Sequence, residues 1–596
     1  MTATGVKDPQ SENPLVQSLS LDEPRALLDR FSTLVRESAS RDEWTAARYI
    51  AGRLKALGVP HTLHEPDLYL SVPKSATLEV RSPASRAIRA KTPAFSLSTG
   101  RKTVRGRVVY VPTGYAADAE TLFDSHVDAG RKEIEGKIVL TDGMAMPKKV
   151  ADLTALGAKA LIFINPGTAI HEGICTTIWG APDLDSVGRK PAVPVIAINR
   201  TDGTQLREEV AAGPVEVAIR TKLDEGWKRC PVLVAEIRGT DDPDRFVLVH
   251  GHIDSWHVGI GDNSTGDAAL LELARVFWQH RDRVRRTLRV AWWPGHSTGR
   301  YGGSTWYADT CAEELDERCI AQVNIDSPGC RWATEYEDIS WMSEAEPFCQ
   351  EAIRDAVGQP SRGGRPHQAG DYSFNNIGLT SFFMLLSTMP AALRAEKGYY
   401  AVGGCGANIQ WHTEDDRMEI ADLDILAKDL RIYATALLRV LNAPVHPFDF
   451  RRVADEIGRT LEAYQGKAGA AADFGPARAA VEALRGDLDE FYRHADELQR
   501  RPIGDPDVGR ANTAIRSLAR ILVPINFTRG GRFRHDPAVP IPPLPDLAPA
   551  VDLERHAPGS HEARVIQTSL LRGQNRVVAA LRQARAVTRG GPATAL

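Results

Sequence analysis

Short apolar runs alternate with amphipathic stretches through the middle of the chain, residues 230–445. The runs Phe246–Val249, Leu288–Trp293 and Ile320–Ile325 have the length and composition of buried strands. Between the first two, apolar residues recur at helical spacing over Asp267–Gln279, which predicts a helix with one buried face. Strands that alternate with helices in this way favour the α/β class, with helices on both faces of a sheet.

A β-rich segment is predicted ahead of this region. We divide the chain into a core domain of residues 1–75 and 230–445, an insert of residues 76–229 and a tail of residues 446–596. Asn199 begins a group of turn-forming residues that is expected to close the strand Pro194–Ile198. The predicted strands of the insert are Arg107–Val111, Lys137–Leu140, Ala160–Ile164 and Pro194–Ile198.

Helical signals lie at both ends of the chain. Ser40 and Glu43 have the spacing of a capping box, and Gly58 followed by Pro60 ends the helix that this box begins. The tail is mainly helical, with a proline-rich interruption at Pro537–Pro549. Its predicted helices span about 450–465, 476–500, 509–522 and 562–586.

Composition excludes several classes of function. The 596 residues carry a formal net charge of −4 without a basic block, so no nucleic-acid partner is expected. No apolar run reaches the roughly 18 residues of a membrane span, and Met1–Asn13 lacks the pattern of a signal peptide. The seven cysteines are scattered, which favours reduced thiols. These features predict a cytoplasmic protein without a membrane partner.

Candidate chemistry begins where the first core strand ends. His252 and Asp254 follow this strand, and Asp262 comes shortly after them. Imidazole and carboxylate groups are typical ligands of divalent metals. Asp254 could accept a hydrogen bond from the far ring nitrogen of His252 and so fix the ring. Asp262 has two carboxylate oxygens and could bridge two ions about 3.5–4 Å apart.

Two further fragments add ligand-type residues. Asp326 follows another predicted strand, and His412 stands in the run Trp411-His412-Thr413. A lone His or Asp is more often a hydrogen-bonded structural residue than a ligand. Because ligands of open α/β sheets bind beyond the carboxyl ends of the strands, however, these residues are expected to meet. Taken together, the fragments predict a metal site.

The four fragments, in this order, resemble the family of two-zinc aminopeptidases, glutamate carboxypeptidases and transferrin receptors over nearly the whole chain. The resemblance implies a mixed sheet flanked by helices, a protease-associated domain as the insert, and a helical dimerisation domain as the tail. It therefore implies a homodimer. It also implies that His252, Asp262 and Asp326 hold one zinc ion, and that His412 and the shared Asp262 contribute to the other.

The same resemblance implies supporting roles for three more residues. Asp254 matches the aspartate that orients the first histidine of the family. Asp416 matches the carboxylate that follows the second histidine in a His-Thr-x-x-Asp motif. Asp371, after Gly370, matches part of a Ser-Asp pair near the substrate pocket.

One segment departs from the family pattern. The family has Trp, two residues, Glu-Glu, one residue and Gly, where the first Glu is the general base and the second is a zinc ligand. Here the segment reads Trp-Pro-Gly-His-Ser-Thr-Gly, from Trp293 to Gly299. Both end residues keep the register, so His296 and Ser297 replace the two glutamates.

Three outcomes of this replacement are open. His296 could be the base, because imidazole with a pKa near 6.5 accepts a proton at neutral pH. It could instead be a ligand of a nitrogen-richer site that suits zinc, iron or manganese and another chemistry, such as a lyase reaction. In the third outcome the site is inactive and the fold serves as a binding scaffold.

Our leading hypothesis is a metal-dependent hydrolase of a small amide or peptide-like substrate, with one or two ions, most simply zinc. Its catalytic residues would be His296 and Asp254. Arg300 and Tyr301 stand where family members often have small apolar residues, and could reach the pocket. Arg365, close to Asp371, could clamp a carboxylate, although a solvated loop charge is an equal interpretation. These four residues are the predicted substrate contacts.

Overall fold

The computed structural model of the protein describes residues 14–591. The prediction that Met1–Asn13 is not a signal peptide falls outside the described residues. Within them, no helix is long and apolar enough to cross a membrane.

The strands of the described chain form two sheets. They are β1 His61–His64, β2 Asp67–Ser82, β3 Arg86–Ile88, β4 Val104–Val111, β5 Ile138–Asp142, β6 Ala160–Ile164, β7 Val195–Ile198, β8 Glu216–Arg229, β9 Val232–Ile237, β10 Asp242–His252, β11 Arg286–Trp293, β12 Cys319–Asn324, β13 Ile339–Trp341, β14 Gly363–Gly364 and β15 Thr380–Met384.

The α-helices that follow residue 20 are numbered in chain order. They are α1 Asp22–Phe31, α2 Arg41–Leu57, α3 Arg131–Ile134, α4 Pro147–Ala155, α5 Arg200–Ala212, α6 Thr265–Gln279, α7 Gly302–Thr310, α8 Ala312–Arg318, α9 Glu346–Val357, α10 Ala391–Glu396, α11 Leu423–Asn442, α12 Phe450–Ala468, α13 Gly475–Leu498, α14 Pro506–Phe527 and α15 His561–Thr588.

The core domain is built on a mixed sheet with the strand order β1-β9-β11-β10-β12-β15-β13-β14. Strands β11, β10, β12 and β15 are parallel neighbours, whereas β9 runs antiparallel to β11 and β13 runs antiparallel to β15. Helices cover both faces: Leu270 of α6 and Leu430 of α11 lie in one buried cluster, and Tyr307 and Leu315 lie in another. The predicted α/β fold with a mixed, helix-flanked sheet is confirmed.

The insert contains the second sheet, with the order β3-β2-β8-β4-β5-β6-β7. Its long antiparallel pair joins β2 to β8 from Asp67 to Ser82. The insert therefore begins nearer residue 67 than the predicted residue 76, because the apolar runs Leu68–Val72 and Thr77–Val80, which look separate in the sequence, both lie in β2. The predicted closing turn at Asn199 is also wrong: Asn199 is the N-cap of α5 and accepts from the N–H of Asp202 at 2.8 Å.

The tail is helical as expected, and it packs on the core domain. Helix α15 contacts α13 and α14. Arg520 of α14 donates to the main-chain oxygens of Leu315, Cys319 and Gly378 in the core. At the other end of the chain, Ser40 caps α2 as predicted, since its hydroxyl accepts from the N–H of Glu43 at 3.1 Å. These Arg520 contacts lie at the start of β12 and just before β15, at the amino ends of these parallel strands.

Candidate metal centre

Three neighbouring parallel strands, β11, β10 and β12, end at the candidate site. His252 is the last residue of β10, and it pairs in register with Trp293, the last residue of β11. Asp326 follows β12, the neighbour of β10 on its other side. Asp262 lies in the short turn that leads into α6. The site therefore forms beyond the carboxyl ends of parallel strands, where ligands of such sheets bind.

Asp262 stands between the two predicted histidine ligands. Its Oδ1 lies 2.9 Å from Nε2 of His252, and its Oδ2 lies 3.0 Å from Nε2 of His412. Asp326 contributes a carboxylate oxygen 3.7 Å from the same nitrogen of His252. The four predicted ligands are thus brought together, with both oxygens of Asp262 in use.

Main-chain oxygens fix the tautomers of both histidines. Nδ1 of His252 donates to the carbonyl oxygen of Asp254 at 2.9 Å, and Nδ1 of His412 donates to that of Glu172 at 3.1 Å. A carbonyl oxygen can only accept, so each Nδ1 carries the hydrogen. The lone pair of each neutral ring is therefore on Nε2, which faces Asp262.

The predicted role of the Asp254 side chain is corrected by this geometry. Its carboxylate is 3.8 Å from Nδ1 of His252, which is bonded to the main chain instead. The carboxylate accepts from the N–H groups of His296 and Ser297, at 3.0 and 3.1 Å, and from the hydroxyl of Ser38 at 2.8 Å. Asp254 therefore positions the backbone of the departing segment and does not orient the first histidine.

His296 lies inside the cluster. Its ring stacks on that of His252, with centroids 3.9 Å apart and an angle of 18° between the planes. Its Nδ1 lies 2.8 Å from Oδ2 of Asp371. Although burial alone would raise the pKa of Asp371, the adjacent His296 holds this pKa below its ordinary value. An ionised carboxylate only accepts, so Nδ1 donates and Nε2 is left free.

Asp371 is not at the surface of the cleft. It is fully buried and also accepts from the hydroxyl of Ser304 at 2.6 Å. The prediction that it contacts substrate is therefore wrong, because both of its oxygens are engaged by side chains of the protein. Its contact with the site is through His296.

The donor set fits a divalent cation. The ligating atoms of His252, His296 and Asp326 lie within 4.8 Å of one another. Nε2 of His252 is buried and has no well-directed hydrogen-bond partner among residues 14–591. Imidazole nitrogens and carboxylate oxygens are the ligands that zinc, iron and manganese accept.

Electrostatics also favour a positive charge here. Burial, together with the negative charge of Asp262, raises the pKa of Asp326. Burial disfavours the charged form of His252, yet the carboxylates of Asp262 and Asp326 raise its pKa well above the usual range. Two adjacent buried carboxylates favour a positive charge beside them. A proton on His252 supplies this charge here, and a bound metal ion would supply it in the same way.

Asp416 positions the bridging carboxylate. It accepts from the N–H of Gly261 at 2.7 Å and from that of Asp262 at 3.0 Å. Burial, and then the nearby charge of Asp262, raises its pKa to about 7. The predicted motif residue thus acts on the backbone of the ligand loop.

A cleft opens over the cluster, and Asp262, His296 and Asp326 line it. Arg300 and Tyr301 line it too, in the location that the sequence predicts. A larger cavity of about 630 Å³ lies nearby, but none of the ligand-type residues is among its lining residues in the described chain. The smaller cleft is therefore the candidate active site.

Arg365 is the predicted contact that the structure removes from the site. Its guanidinium pairs with Glu456 of α12 at 3.3 Å, donates to the main-chain oxygen of Asn526 and lies over the ring of Phe527. It joins the core to the tail, so its predicted clamp on a substrate is wrong. Closeness to Asp371 in the sequence is a poor guide because the intervening loop turns away.

Several residues of the site were not foreseen. Glu172 and Trp179 come from the insert: Glu172 holds His412 through its main chain, and Trp179 packs on Tyr301 with ring centroids 4.4 Å apart. Ser38 and Ser304 are the hydroxyl partners of Asp254 and Asp371. The adjacent polar residues His171 and Glu172, which follow Ile170 in the insert, were the one available signal.

Comparisons with known proteins relate the core domain to a peptidase family. Residues 233–436 match the model of Peptidase family M28. A probable glutamate carboxypeptidase of Zea mays is 25% identical over 336 residues, which are 47% of this chain and 46% of that protein. A glutamate carboxypeptidase 2 homologue of Caenorhabditis briggsae is 26% identical over 38% of each chain. The chain thus spans less than half the length of these curated relatives.

Solved structures show the same fold. The aminopeptidase from Aneurinibacillus sp. strain AM-1 has a TM-score of 0.53 at 18% identity, over 72% of this chain and 95% of its own. A zinc aminopeptidase from Bacillus subtilis has a TM-score of 0.51 at 20% identity, over 71% and 95%. The matched region contains His252, Asp262, Asp326 and His412. The core domain is therefore similar to Peptidase family M28 in sequence and to zinc aminopeptidases in fold.

Proposed function

We propose that the protein is a metal-dependent hydrolase of a small amide or peptide-like substrate. The family and the ligand-type cluster in the cleft support this reaction class. His252, Asp262, Asp326 and His412 would hold the metal, most simply zinc. A bound divalent cation supplies Lewis acidity, which polarises an oxygen atom of the substrate.

His296 is proposed to take the place of the family's general base. The observation that carries this role is the hydrogen bond from its Nδ1 to the buried Asp371, at 2.8 Å. This bond fixes the ring and leaves Nε2 with a lone pair at the cleft. Nε2 would accept a proton from the attacking water and then pass it to the leaving amine. Asp371 would stabilise the imidazolium formed between these two steps.

Ser297 changes the number of ions that we expect. It stands at the position of the second glutamate, which is a metal ligand in the family, and its main-chain N–H is still held by Asp254. The loss of one anionic ligand weakens the attraction for a second dication. We therefore propose one tightly bound ion and a second, weaker position beside His412.

The homodimer and the cytoplasmic location remain predictions. The helical tail supports the first, because α15 carries exposed apolar side chains at Val565 and Leu571. The measurement for the dimer is the mass of the full chain in solution by light scattering.

The reaction is tested by a substrate screen with metal-free and metal-reconstituted protein. N-acylated amino acids, dipeptides and aminoacyl anilides would be incubated in water enriched in heavy oxygen. We expect turnover that needs the metal, and one heavy oxygen atom in the acid product. Cleavage without heavy oxygen would show a lyase instead, and no turnover with zinc, iron or manganese would contradict an enzyme. His494→Ala, a change at an exposed position of α13, is the matched control.

A further inference from the structure

Arg300 is a buried guanidinium that the protein leaves without an anionic partner. The residue is only 3% exposed, and its Nε and Nη2 have no hydrogen-bond partner among residues 14–591. No carboxylate of the described chain pairs with it. A buried charge without a partner is costly, so it needs an explanation.

Other buried arginines of the core show the usual solution. In Arg36, the three guanidinium nitrogens donate to the main-chain oxygens of Ile253, Val258 and Gly259, at 2.8 to 3.0 Å. Arg520 likewise bonds through every guanidinium nitrogen. These two side chains brace the fold. Arg300 lacks such bonds, and a bracing role does not account for its charge.

The backbone holds Arg300 firmly at the cleft. Arg300 and Tyr301 both have left-handed backbone conformations, with φ of 46° and 70°. The carbonyl oxygen of Arg300 accepts from the N–H of Gly180 at 2.7 Å. The hydroxyl of Tyr301 accepts from the N–H of Gly370 at 2.9 Å, and the guanidinium lies over the Tyr301 ring at 4.6 Å. The planar fork is therefore pre-organised for a ligand.

The acids of the cleft are already committed elsewhere. Glu172 pairs with Lys91 at 3.0 Å and with His257 at 3.1 Å. Asp262 and Asp326 face the histidines of the metal centre. The missing anion must therefore come from a molecule that enters the cleft.

We propose that Arg300 binds a carboxylate of the substrate and so selects acidic amides over neutral ones. This proposal rests on the hydrolase function and names its substrate class. A carboxylate accepts two parallel hydrogen bonds from a guanidinium, which matches the two free donors. The rest of the cleft is largely apolar, so the substrate also carries a small apolar group. The apolar lining includes Phe123, Met146, Ile174, Met384 and Leu385.

Equilibrium binding tests the proposal without any need for turnover. N-acetyl-L-leucine and N-acetyl-L-leucinamide have nearly the same shape, but only the first carries a carboxylate. Calorimetric titration of the zinc-loaded full chain should show binding of the acid about 10- to 100-fold tighter than that of the amide. Arg300→Met should reduce this ratio to near one, and Arg300→Lys should keep part of it.

The controls separate Arg300 from the metal and from the fold. Arg365→Met removes a partly buried arginine that lies outside the cleft, and it should leave the acid-to-amide ratio unchanged. If Arg300→Met does not fold, Arg300→Lys alone should lower the ratio by about tenfold, because an ammonium cannot reproduce the fork. A ratio that stays at the wild-type value in folded Arg300 variants would overturn the proposal and assign the carboxylate to the metal.

Two other results would also contradict the proposal. In the first, wild-type protein binds the acid no better than the amide, or binds neither. In the second, inorganic phosphate competes at micromolar concentration while carboxylates do not, which would assign Arg300 to a phosphoryl ligand. The two proposals can fail separately. If the protein is not a hydrolase, the substrate screen shows no turnover, whereas the acid-to-amide binding ratio still tests the role of Arg300.

Discussion

The two strands that flank the candidate site, β10 and β11, differ in how closely the residues at their ends match the family pattern. On the β10 side, His252 and Asp262 are the ligand types of the family and stand in its order. On the β11 side, His296 and Ser297 stand where the resemblance to this family leads us to expect two glutamates, and their N–H groups are held by the carboxylate of Asp254. The backbone of this segment is thus fixed by contacts that do not depend on its own side chains. Its chemistry can change while its position stays.

The largest effect is expected on the side that the family keeps. Asp262→Asn removes the charge shared by His252 and His412, and should lower turnover by roughly 10³-fold, the equivalent of about 4 kcal/mol. Elemental analysis should show a matching loss of bound metal. His494→Ala should retain both turnover and bound metal. A metal content unchanged by Asp262→Asn would contradict the assignment of Asp262 as a metal ligand.

Asp254 joins the two sides, and its replacement should affect both activity and stability. Asp254→Asn keeps the shape but leaves one of the two N–H groups or the Ser38 hydroxyl without an acceptor. We expect kcat to fall about 10- to 100-fold and unfolding to need about 1.5–3 kcal/mol less free energy. Kinetics and urea unfolding measure the two effects, and a fully stable, fully active variant would show that the segment is held by other contacts.

A change at Asp371 tests the role of His296, on the β11 side of the cluster. Asp371→Asn removes the charge that orients His296 but should leave the metal in place. The expected fall in kcat is about 10- to 100-fold, with KM little changed. Metal content and a crystal structure of the variant would separate a misplaced ring from a lost ion. Loss of the metal would assign His296 to the ligands.

Ser297→Glu returns one anionic group to the departing side. Because Asp254 still fixes the backbone there, the new carboxylate should strengthen the weaker metal position by roughly tenfold, about 1.4 kcal/mol. Titration of the metal-free protein with zinc, followed by calorimetry, measures this change. Ser297→Gln is the neutral control of equal size, and equal affinities for both variants would exclude the charge as the cause.

The last prediction concerns stability alone and a buried acid outside the cluster. Glu344 accepts from Thr380 at 2.8 Å, and burial raises its pKa to about 7. A folded pKa above the unfolded value means that ionisation destabilises the fold. This cost is absent below about pH 4.5, grows from there to pH 7 and is then constant. Glu344→Gln should therefore gain about 1–3 kcal/mol relative to wild type between pH 5 and pH 8, by urea unfolding.

Local patterns accounted for much of the fold. Apolar runs located β10, β11 and β12, and the Ser40 cap located the start of α2, because burial and capping are read from neighbours in the chain. Strand β8 was missed because charged residues alternate with its buried residues, so that it contains no long apolar run. Asn199 was assigned to a turn because a helix cap has the same residue preference.

The site was predictable only as far as its side chains follow strand ends. His252, Asp326 and His296 lie at or within three residues of the carboxyl ends of parallel strands, so the sheet brings them together. The contacts that position the site residues could not be predicted in this way, because Glu172 and Ser38 come from segments far away in the chain. Arg365 was misplaced for the same reason, since its partner Glu456 lies in the tail.

The central claim is that His296 is the proton acceptor beside an intact metal centre. The most direct measurement is the metal content and the kcat of His296→Gln, prepared alongside wild type and His494→Ala. The account predicts that the metal stays while kcat falls about 10²- to 10⁴-fold. A variant that turns over at the wild-type rate, or one that loses its metal together with its activity, would contradict it.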